Sequence, residues 1–306
     1  MSSDVFPRRV VVTGSRGLIG AELVPHLLGR GHEVVRFVRG DVKPLDDGTT
    51  AVSWDPEGAV DPRSLEGVDA VVHLAGESIA AGRWTAERKR RILESRTGPT
   101  RRLAEAVAAL DRKPAFLSAS AVGVYGDRGD EELNESSAAG SVFLADLCKQ
   151  WEAATEPASA AGARVVHARI GIVLTPKGGA LGAQLPAFRF GAGAVLGGGQ
   201  QWVSWITITD LVRAFHHALV TEDLAGPVNL VAPHPVTNRE FGRTLARVLR
   251  RPFLMTLPAP VLRVLFGEAA DEALLTSLRV RPRKLLDTGF AFDHPHLEAA
   301  LRALLV

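Results

Sequence analysis

Three glycines with a fixed spacing stand near the start of the chain. Gly14, Gly17 and Gly20 follow an apolar run at residues 9–13 and precede an amphipathic helical pattern at residues 21–30. In such a strand–turn–helix unit the first glycine permits the tight turn, the second lets the backbone approach a pyrophosphate, and the third packs the helix on the strand. Because the helix N-terminus offers free N–H groups to phosphates, this spacing predicts a dinucleotide site, with an ordinary glycine-rich turn as the alternative. Other predicted contacts in this loop are Ser15, Arg16, Leu18 and Ile19.

The second predicted strand, at residues 32–39, ends in arginines. An NAD-specific site places an acidic residue about 20 residues after the glycines, on the ribose 2′-hydroxyl. Arg36 and Arg39 stand there instead, and a guanidinium matches a 2′-phosphate with paired, charge-assisted hydrogen bonds. Arg39 is the preferred contact because it is nearest the C-terminal end of the strand, with Arg16 as a second contact. NADP(H) is therefore predicted rather than NAD(H), and solvated strand-edge arginines are the alternative.

A parallel sheet must position these residues. The first half of the chain alternates β-branched runs with helical patterns, which is typical of a Rossmann-type, doubly wound α/β fold. The predicted strands are residues 9–13, 32–39, 51–54, 69–74, 115–120 and 164–173, with 228–231 returning to the sheet. The predicted helices are residues 21–30, 100–110, 142–161, 181–189 and 210–219.

The chain divides into two predicted regions. Residues 1–175 form the NADP(H)-binding domain, and residues 203–232 return to it. Glycine-rich residues 176–202 and mainly helical residues 233–306 form a smaller lobe on the substrate side. Since ligands of open α/β sheets bind at the C-terminal ends of the strands, we expect the substrate between that edge and the lobe.

Composition excludes several classes of protein and site. The formal charge of +2 gives no argument for nucleic acid or an anionic membrane, and the basic stretch at residues 83–91 also contains glutamates. One cysteine, Cys148, excludes an internal disulfide and a cysteine-rich zinc site, and the nine histidines lack metal-binding spacings. No signal-like or bilayer-length apolar run occurs. We therefore expect a soluble, cytoplasmic protein without metal, with an organelle matrix as the alternative location.

Several strings resemble the extended short-chain dehydrogenase/reductases. They are TGxxGxxG at residues 13–20, HLAG at 73–76, SAS at 118–120 with VYG at 124–126, and WITITD at 205–210. Longer strings, LAGESI at 74–79, GRWT at 82–85 and QWVSWI at 201–206, are similar to an atypical branch. This branch comprises the "epimerase family proteins" of nucleoside-diphosphate-sugar epimerase type, which carry a characteristic C-terminal module. The resemblance covers nearly the whole chain and implies cofactor contacts at Asp55, Leu74, Ala75, Gly76 and Ser118.

The catalytic pattern of that larger family is incomplete here. Its members use a serine with a tyrosine and lysine spaced YxxxK, so that the lysine binds the nicotinamide ribose and activates the tyrosine. The only tyrosine is Tyr125, and no YxxxK occurs. The matching helix carries Lys149, which puts Ala145 at the tyrosine position. Ser120 and Lys149 are the predicted catalytic residues; Ser118 or a water held by Lys149 are alternatives, as is a solvated position for Lys149.

The substrate side is predicted from residue types near the expected cleft. The predicted residues are Arg83, Tyr125, Arg169, Gln201 and Trp202. For Arg169 a structural salt bridge is the equal alternative. Cys148 is predicted to be a core residue. For Trp205 a core position is an equal alternative to one on the substrate side. The leading interpretation is an NADP(H)-binding oxidoreductase or epimerase-like enzyme for an unidentified small molecule, with a homodimer as the candidate assembly. The rival, favoured by the missing tyrosine, is a non-catalytic NADP(H)-binding sensor or regulator.

Overall fold

The computed structural model describes residues 9–40, 42, 46–79 and 82–306. Residues 1–8 of the predicted nucleotide-binding domain therefore lie outside the described part. The strands are β1 (Arg9–Thr13), β2 (Glu33–Val38), β3 (Thr50–Ser53), β4 (Ala70–His73), β5 (Ala115–Ala121), β6 (Glu132–Leu133), β7 (Val165–Ile170), β8 (Ile172–Leu174), β9 (Ala194–Leu196), β10 (Trp202–Val203), β11 (Trp205–Thr207), β12 (Gly226–Leu230), β13 (Val236–Thr237), β14 (Met255–Leu257) and β15 (Arg279–Val280). The helices are α1 (Gly20–Gly29), α2 (Ala86–Ala108), α3 (Phe143–Ala153), α4 (Glu156–Ala160), α5 (Gly179–Arg189), α6 (Ile208–Val220), α7 (Asn238–Leu249), α8 (Ala259–Phe266), α9 (Arg283–Asp287) and α10 (Leu297–Leu305).

A seven-stranded sheet forms the centre of the molecule. Its order is β3-β2-β1-β4-β5-β7-β12, and every neighbouring pair is parallel. The central strands are buried on both faces, as their near-continuous apolar sequence requires; Val10, Val11 and Val12 are all 0% exposed. The order reverses between β1 and β4, which opens a crevice at the C-terminal ends of these strands. The Rossmann-type fold is confirmed, including the late return of β12 to the sheet.

Three elements differ from their predicted bounds. The helix predicted at 142–161 is divided into α3 and α4 because Pro157, in the first turn of α4, cannot continue the helix before it. The strand predicted at 164–173 ends at Gly171, where a Cβ would lie 2.7 Å from the Ser204 carbonyl oxygen. After this close approach β8 leaves the main sheet and pairs with β11. Helix α2 starts at Ala86 rather than residue 100, capped by the Thr85 hydroxyl.

Three apolar cores correspond to the layers of the fold. One face of the sheet packs on α1 and α6, and the other packs on α2 and α4. A third core joins α5, α7 and α10 around the fully buried Trp205. The C-terminal portion is mainly helical as predicted, although β13, β14 and β15 are strands of two or three residues that helical periodicity did not predict. Within the described ranges, no helix combines the length and apolarity needed to cross a membrane.

Candidate functional site

The loop between β1 and α1 is shaped by close backbone approaches. Gly14 has φ +65°, and a Cβ there would lie 2.8 Å from the Leu74 carbonyl. At Gly20 a Cβ would lie 2.3 Å from the Gly14 oxygen, so neither position accepts a larger residue without displacement of backbone. At Gly17 a Cβ would meet one backbone oxygen at 3.2 Å, a milder conflict. The fold thus requires Gly14 and Gly20, whereas internal packing explains Gly17 less well.

The Ser15 hydroxyl and several backbone N–H groups of this loop have no hydrogen-bond partner among the described residues. Ser15 is 2% exposed, and its Oγ is buried without a hydrogen bond. Leaving a buried hydroxyl unsatisfied costs about 1–3 kcal/mol. Helix α1 begins behind the loop with Ile19 as its N-cap and no side-chain cap. The N–H groups of Ala21, Glu22 and Leu23 already bond to the carbonyls of Gly17 and Ile19, so the N–H groups of Leu18, Ile19 and Gly20 are the ones available to an anion. Both features fit the phosphates of a dinucleotide.

A hydrogen-bonded bridge holds the glycine loop against the end of β4. The Thr13 hydroxyl accepts from the N–H groups of Leu74 at 3.2 Å and Ala75 at 3.3 Å. It therefore donates its own proton to His73 Nδ1 at 2.7 Å. His73 is fully buried, and burial lowers its pKa to about 3, which keeps the imidazole neutral. The sequence analysis gave Thr13 and His73 no role of their own. The sequence could have indicated one, because these two polar residues lie at the ends of two predicted strands that are neighbours in the sheet.

The two arginines at the C-terminal end of β2, Arg36 within the strand and Arg39 directly after it, have different environments. Arg36 is paired with Asp47 and its side chain is 15% exposed. Arg39 is exposed and, like exposed Arg16, has no hydrogen bond or ion pair within the described chain. Thr13 of β1 pairs with Phe37 of β2. Ser15 and Arg39 each come two residues after this pair, so both lie beyond the C-terminal ends of neighbouring strands. Two unpaired guanidinium groups are thus available beside the glycine loop.

The other predicted cofactor contacts lie along the same edge. Asp55 follows β3, is exposed, and accepts a hydrogen bond from the Glu57 N–H at 3.0 Å. Leu74 and Ala75 are partly exposed at the end of β4, and Gly76 is exposed. Ser118 is different, because it is 1% exposed and its hydroxyl donates to the Ala119 carbonyl at 3.3 Å. The crevice therefore brings the loop residues together and leaves Ser118 inside the sheet.

A buried ionic network occupies the ends of β5 and β7. Ser120 donates to Glu152 Oε1 at 2.7 Å, and Arg169 donates to both oxygens of Glu152 at 2.8 Å. Arg169 Nη1 also donates to the Tyr125 hydroxyl at 3.1 Å, which donates to Asn229 Oδ1 at 2.7 Å. This is the salt bridge given above as the alternative for Arg169. Sequence analysis missed Glu152 and Asn229, because their role depends on contacts between distant elements.

Electrostatics keep this network charged and in place. Burial opposes ionisation of Glu152, but the paired hydrogen bonds from Arg169 outweigh it and hold the pKa of the carboxyl below its usual value. Burial also lowers the pKa of Arg169, and Glu152 more than reverses this. Tyr125 is 0% exposed, and burial raises its pKa. Its predicted place on the substrate side is therefore corrected: Tyr125 is an interior residue that a substrate cannot reach in this structure.

Helix α3, predicted to carry Lys149, has no tyrosine and buries an alanine at the tyrosine position. Ala145, at the tyrosine position, is 0% exposed. Lys149 has a side chain 46% exposed, pairs with Asp146 at 2.6 Å and donates to the Gly140 carbonyl at 3.2 Å. This is the solvated position weighed as its alternative. Cys148, on the buried face, has its pKa raised to about 11 by burial, so it remains a thiol.

The other substrate-side predictions fall at contacts of the lobe: those of Arg83 and Trp202 join it to the sheet domain, and those of Gln201 stay within it. Arg83 donates to the Val264 carbonyl. Gln201 Nε2 donates to two carbonyls at 3.0 and 3.1 Å. Trp202 donates to Asp130 at 2.8 Å, and the Arg279 guanidinium lies 4.7 Å from its ring. These groups hold the lobe in place, so substrate contacts at Arg83, Gln201 and Trp202 stay predictions.

Known proteins share this architecture over the full chain. The model of the NAD dependent epimerase/dehydratase family matches residues 10–231, and a domain of unknown function, DUF1731, matches residues 257–304. Epimerase family protein Mb2239 of Mycobacterium bovis is 45% identical, covering 95% of this chain and 96% of its own. Epimerase family protein YfhF of Bacillus subtilis is 35% identical, covering 97% of each.

A solved structure agrees with these sequence matches. The crystal structure of human epimerase family protein SDR39U1 (isoform 2) with NADPH has a TM-score of 0.86 at 35% identity, covering 97% of this chain and 98% of that one. The UDP-N-acetylglucosamine 4-epimerase of Bacillus cereus, at 16% identity and a TM-score of 0.76, shares the fold. The chain, with its glycine loop, parallel sheet and C-terminal module, belongs to the NAD dependent epimerase/dehydratase family.

Proposed function

We propose that this protein binds NADP(H) across the glycine loop and acts as an oxidoreductase or epimerase-like enzyme on a small molecule. The observation that carries the proposal is the set of groups at one edge without a partner among the described residues: the buried Ser15 hydroxyl, the N–H groups of residues 18–20, and the guanidinium groups of Arg16 and Arg39. The pyrophosphate would lie on the loop, and Arg39 would take the 2′-phosphate. The NADPH in the human relative supports this assignment.

Fluorescence titration tests cofactor choice. Arg39→Ala should weaken NADPH binding by about 10–100-fold, since a hydrogen bond to a charged group contributes roughly 1.5–3 kcal/mol, and should leave NADH binding unchanged. Arg36→Ala is the matched control, because Arg36 is already paired with Asp47. Equal binding of NADH and NADPH by the wild type, with no effect of Arg39→Ala, would refute the choice of NADP(H).

The bound cofactor would supply hydride transfer, and the chain would have to move the accompanying proton. Ser120 already donates to an ionised Glu152, so a proton accepted by Ser120 from a substrate could pass to this carboxylate. Lys149 would have to exchange its Asp146 pairing for a ribose contact. A screen of carbonyl and sugar-nucleotide compounds should then show NADPH oxidation or NADP reduction that is lost in Ser120→Ala and Lys149→Ala.

A second candidate function is a non-catalytic NADP(H) sensor or regulator. The observation that favours it is the lack of a tyrosine on α3: a buried Ala145 takes its position, and Lys149 is ion-paired. Tight NADPH binding without turnover of any compound in the screen would support the sensor. For either function we propose a cytoplasmic location. Light scattering of the purified chain tests the proposed homodimer.

A further inference from the structure

A pocket with two arginines and three histidines lies at the opposite end of α1 from the glycine loop. This open pocket of about 180 Å³ lies between α1, α6 and the segment after α9. Its cations are Arg30 and Arg213, because burial lowers the pKa of all three histidines. The lining includes His26, Arg30, Arg213, His216, His217 and Phe290. No carboxylate among the described residues lines it. Helix α1 has ten residues, so at 1.5 Å per residue its two ends are about 15 Å apart.

Capping of the adjacent helices does not account for these cations. Basic side chains often stabilise the free carbonyls at a helix C-terminus. Here the N–H groups of Gly31 and His32 already bond to the last carbonyls of α1, at 2.9 and 3.1 Å. Arg164, which lies outside the pocket, donates to the last carbonyls of α6 at 2.9 and 2.7 Å. The pocket cations are therefore available for another role.

Several donors of the pocket are unused. Arg30 is exposed, and its guanidinium has no partner within the described ranges. His26 Nε2 is buried and has no hydrogen bond, an arrangement that costs about 1–3 kcal/mol unless a ligand satisfies it. Arg213 uses Nη1 to bind Asp210 and Asp293, each at 2.8 Å. Its other N–H groups remain free to donate.

A histidine pair couples this pocket to protonation. His32 Nε2 and His216 Nε2 are 3.1 Å apart, so one ring donates and the other accepts, and a second proton would set two N–H groups against each other. Burial and the surrounding cations lower the pKa of His216 to about 4. Among the described residues, the other charged or titratable groups around the pair are His26, Arg30, Arg213 and His217, with Asp210 and Asp293 on Arg213. A bound anion would favour the protonated rings, so its binding should take up protons.

We propose that this pocket is a second anion site, which binds a phosphate oxyanion, either free or as a monoester. Its donors come from α1 and α6, and its size is below the ~300–1,000 Å³ of pockets for drug-sized ligands. The site is separate from the nucleotide loop, and the proposal does not depend on NADP(H) binding.

Calorimetric titration with inorganic phosphate tests the site. The wild type should bind phosphate more tightly at about pH 6 than at about pH 7.5, and Arg30→Ala should weaken binding at least about tenfold, as expected for loss of a charge-assisted bond. Arg251→Ala, which removes an exposed arginine of the lobe with no partner in the described ranges, should bind as the wild type does. NMR signals of the His26 and His216 rings should shift on addition of phosphate.

Three results would overturn the proposal. The first is equal phosphate binding by Arg30→Ala and the wild type, and the second is no binding at millimolar phosphate. The third is loss of binding in Arg39→Ala alone, which would assign the phosphate to the nucleotide loop. Competition with glycerol 3-phosphate distinguishes a monoester ligand from free phosphate. A higher affinity for glycerol 3-phosphate than for inorganic phosphate indicates a monoester, and an equal or lower affinity indicates free phosphate.

Discussion

At the scale of single residues, the glycine loop meets two separate demands. Gly14 and Gly20 lie where a Cβ would come within 2.8 Å of other backbone, so the fold itself excludes larger side chains. Gly17 has more room, and it lies exposed in the loop where the pyrophosphate is proposed to bind. The same spacing therefore combines a folding requirement with a binding requirement, which substitutions can separate.

We expect Gly20→Ala to lower the free energy of unfolding by about 1–3 kcal/mol, the usual cost of overpacking. Gly17→Ala should change stability much less and weaken NADPH binding at least about tenfold. Urea unfolding and fluorescence titration of the two variants check this. A Gly17→Ala protein that binds NADPH normally would contradict the assigned role of this glycine.

His73 makes stability depend on pH. The unfolded chain takes up a proton near the ordinary histidine pKa of about 6.5, whereas buried His73 stays neutral until its pKa of about 3. The unfolded state therefore binds more protons between these values, and stability falls on acidification by about 1.4 kcal/mol per pH unit. His73→Gln, which can still accept from Thr13, should show a shallower loss below about pH 6 in urea unfolding. Parallel losses in both proteins would refute this.

At the scale of elements, ionic contacts join α3 to the sheet where the family places its catalytic residues. Glu152 on α3 binds Ser120 of β5 and Arg169 of β7. Ala145 stands at the position of α3 where the YxxxK pattern would have its tyrosine, and it packs in the interior. The contact between these elements therefore has a structural basis that does not require a catalytic tyrosine.

Glu152→Gln should destabilise the protein by about 3–5 kcal/mol, because it leaves the Arg169 guanidinium buried without a counter-charge. The double variant Glu152→Leu/Arg169→Met should recover much of this loss, since neither charge then remains buried. Urea unfolding of Glu152→Leu, Arg169→Met and the double variant measures the coupling. Additive losses would show that the ion pair is not the cause.

At the scale of the whole molecule, buried polar contacts attach the C-terminal segment to the sheet domain. Asp210, at the start of α6, is 0% exposed and accepts from the N–H groups of Asp293 at 2.8 Å and His294 at 2.9 Å. Ser204 accepts from the Val280 N–H at 2.9 Å and donates to the Leu278 carbonyl at 2.7 Å. These bonds make the segment after residue 277 part of the same folded unit.

Asp210→Ala should lower the free energy of unfolding by about 3–5 kcal/mol, because two partly buried N–H groups lose their acceptor and the charge on Arg213 loses one partner. Asp210→Asn, which keeps one acceptor oxygen, should lose less. Urea unfolding followed by fluorescence measures both variants. A loss below about 1 kcal/mol for Asp210→Ala would contradict this role.

Local signals in the sequence account for most of the fold. Apolar runs and glycine spacing predicted the main strands, the βαβ unit and the return of β12, because these depend on neighbouring residues. The helix break before Pro157 and the strand break at Gly171 were not predicted, although both residues can be read directly from the sequence. The short strands β13 to β15 were missed because their pairing partners are distant in the chain.

The sequence by itself determined the parallel sheet, the glycine loop, the arginines of β2 and the absence of a YxxxK motif. Each of these is a property of residue type and spacing. Only the tertiary structure decided that Arg36 is paired while Arg39 is not, that Ser120 and Arg169 share Glu152, and that Tyr125 is interior. Partners for polar groups are selected across elements that meet only on folding, and residue type does not specify which partner is reached.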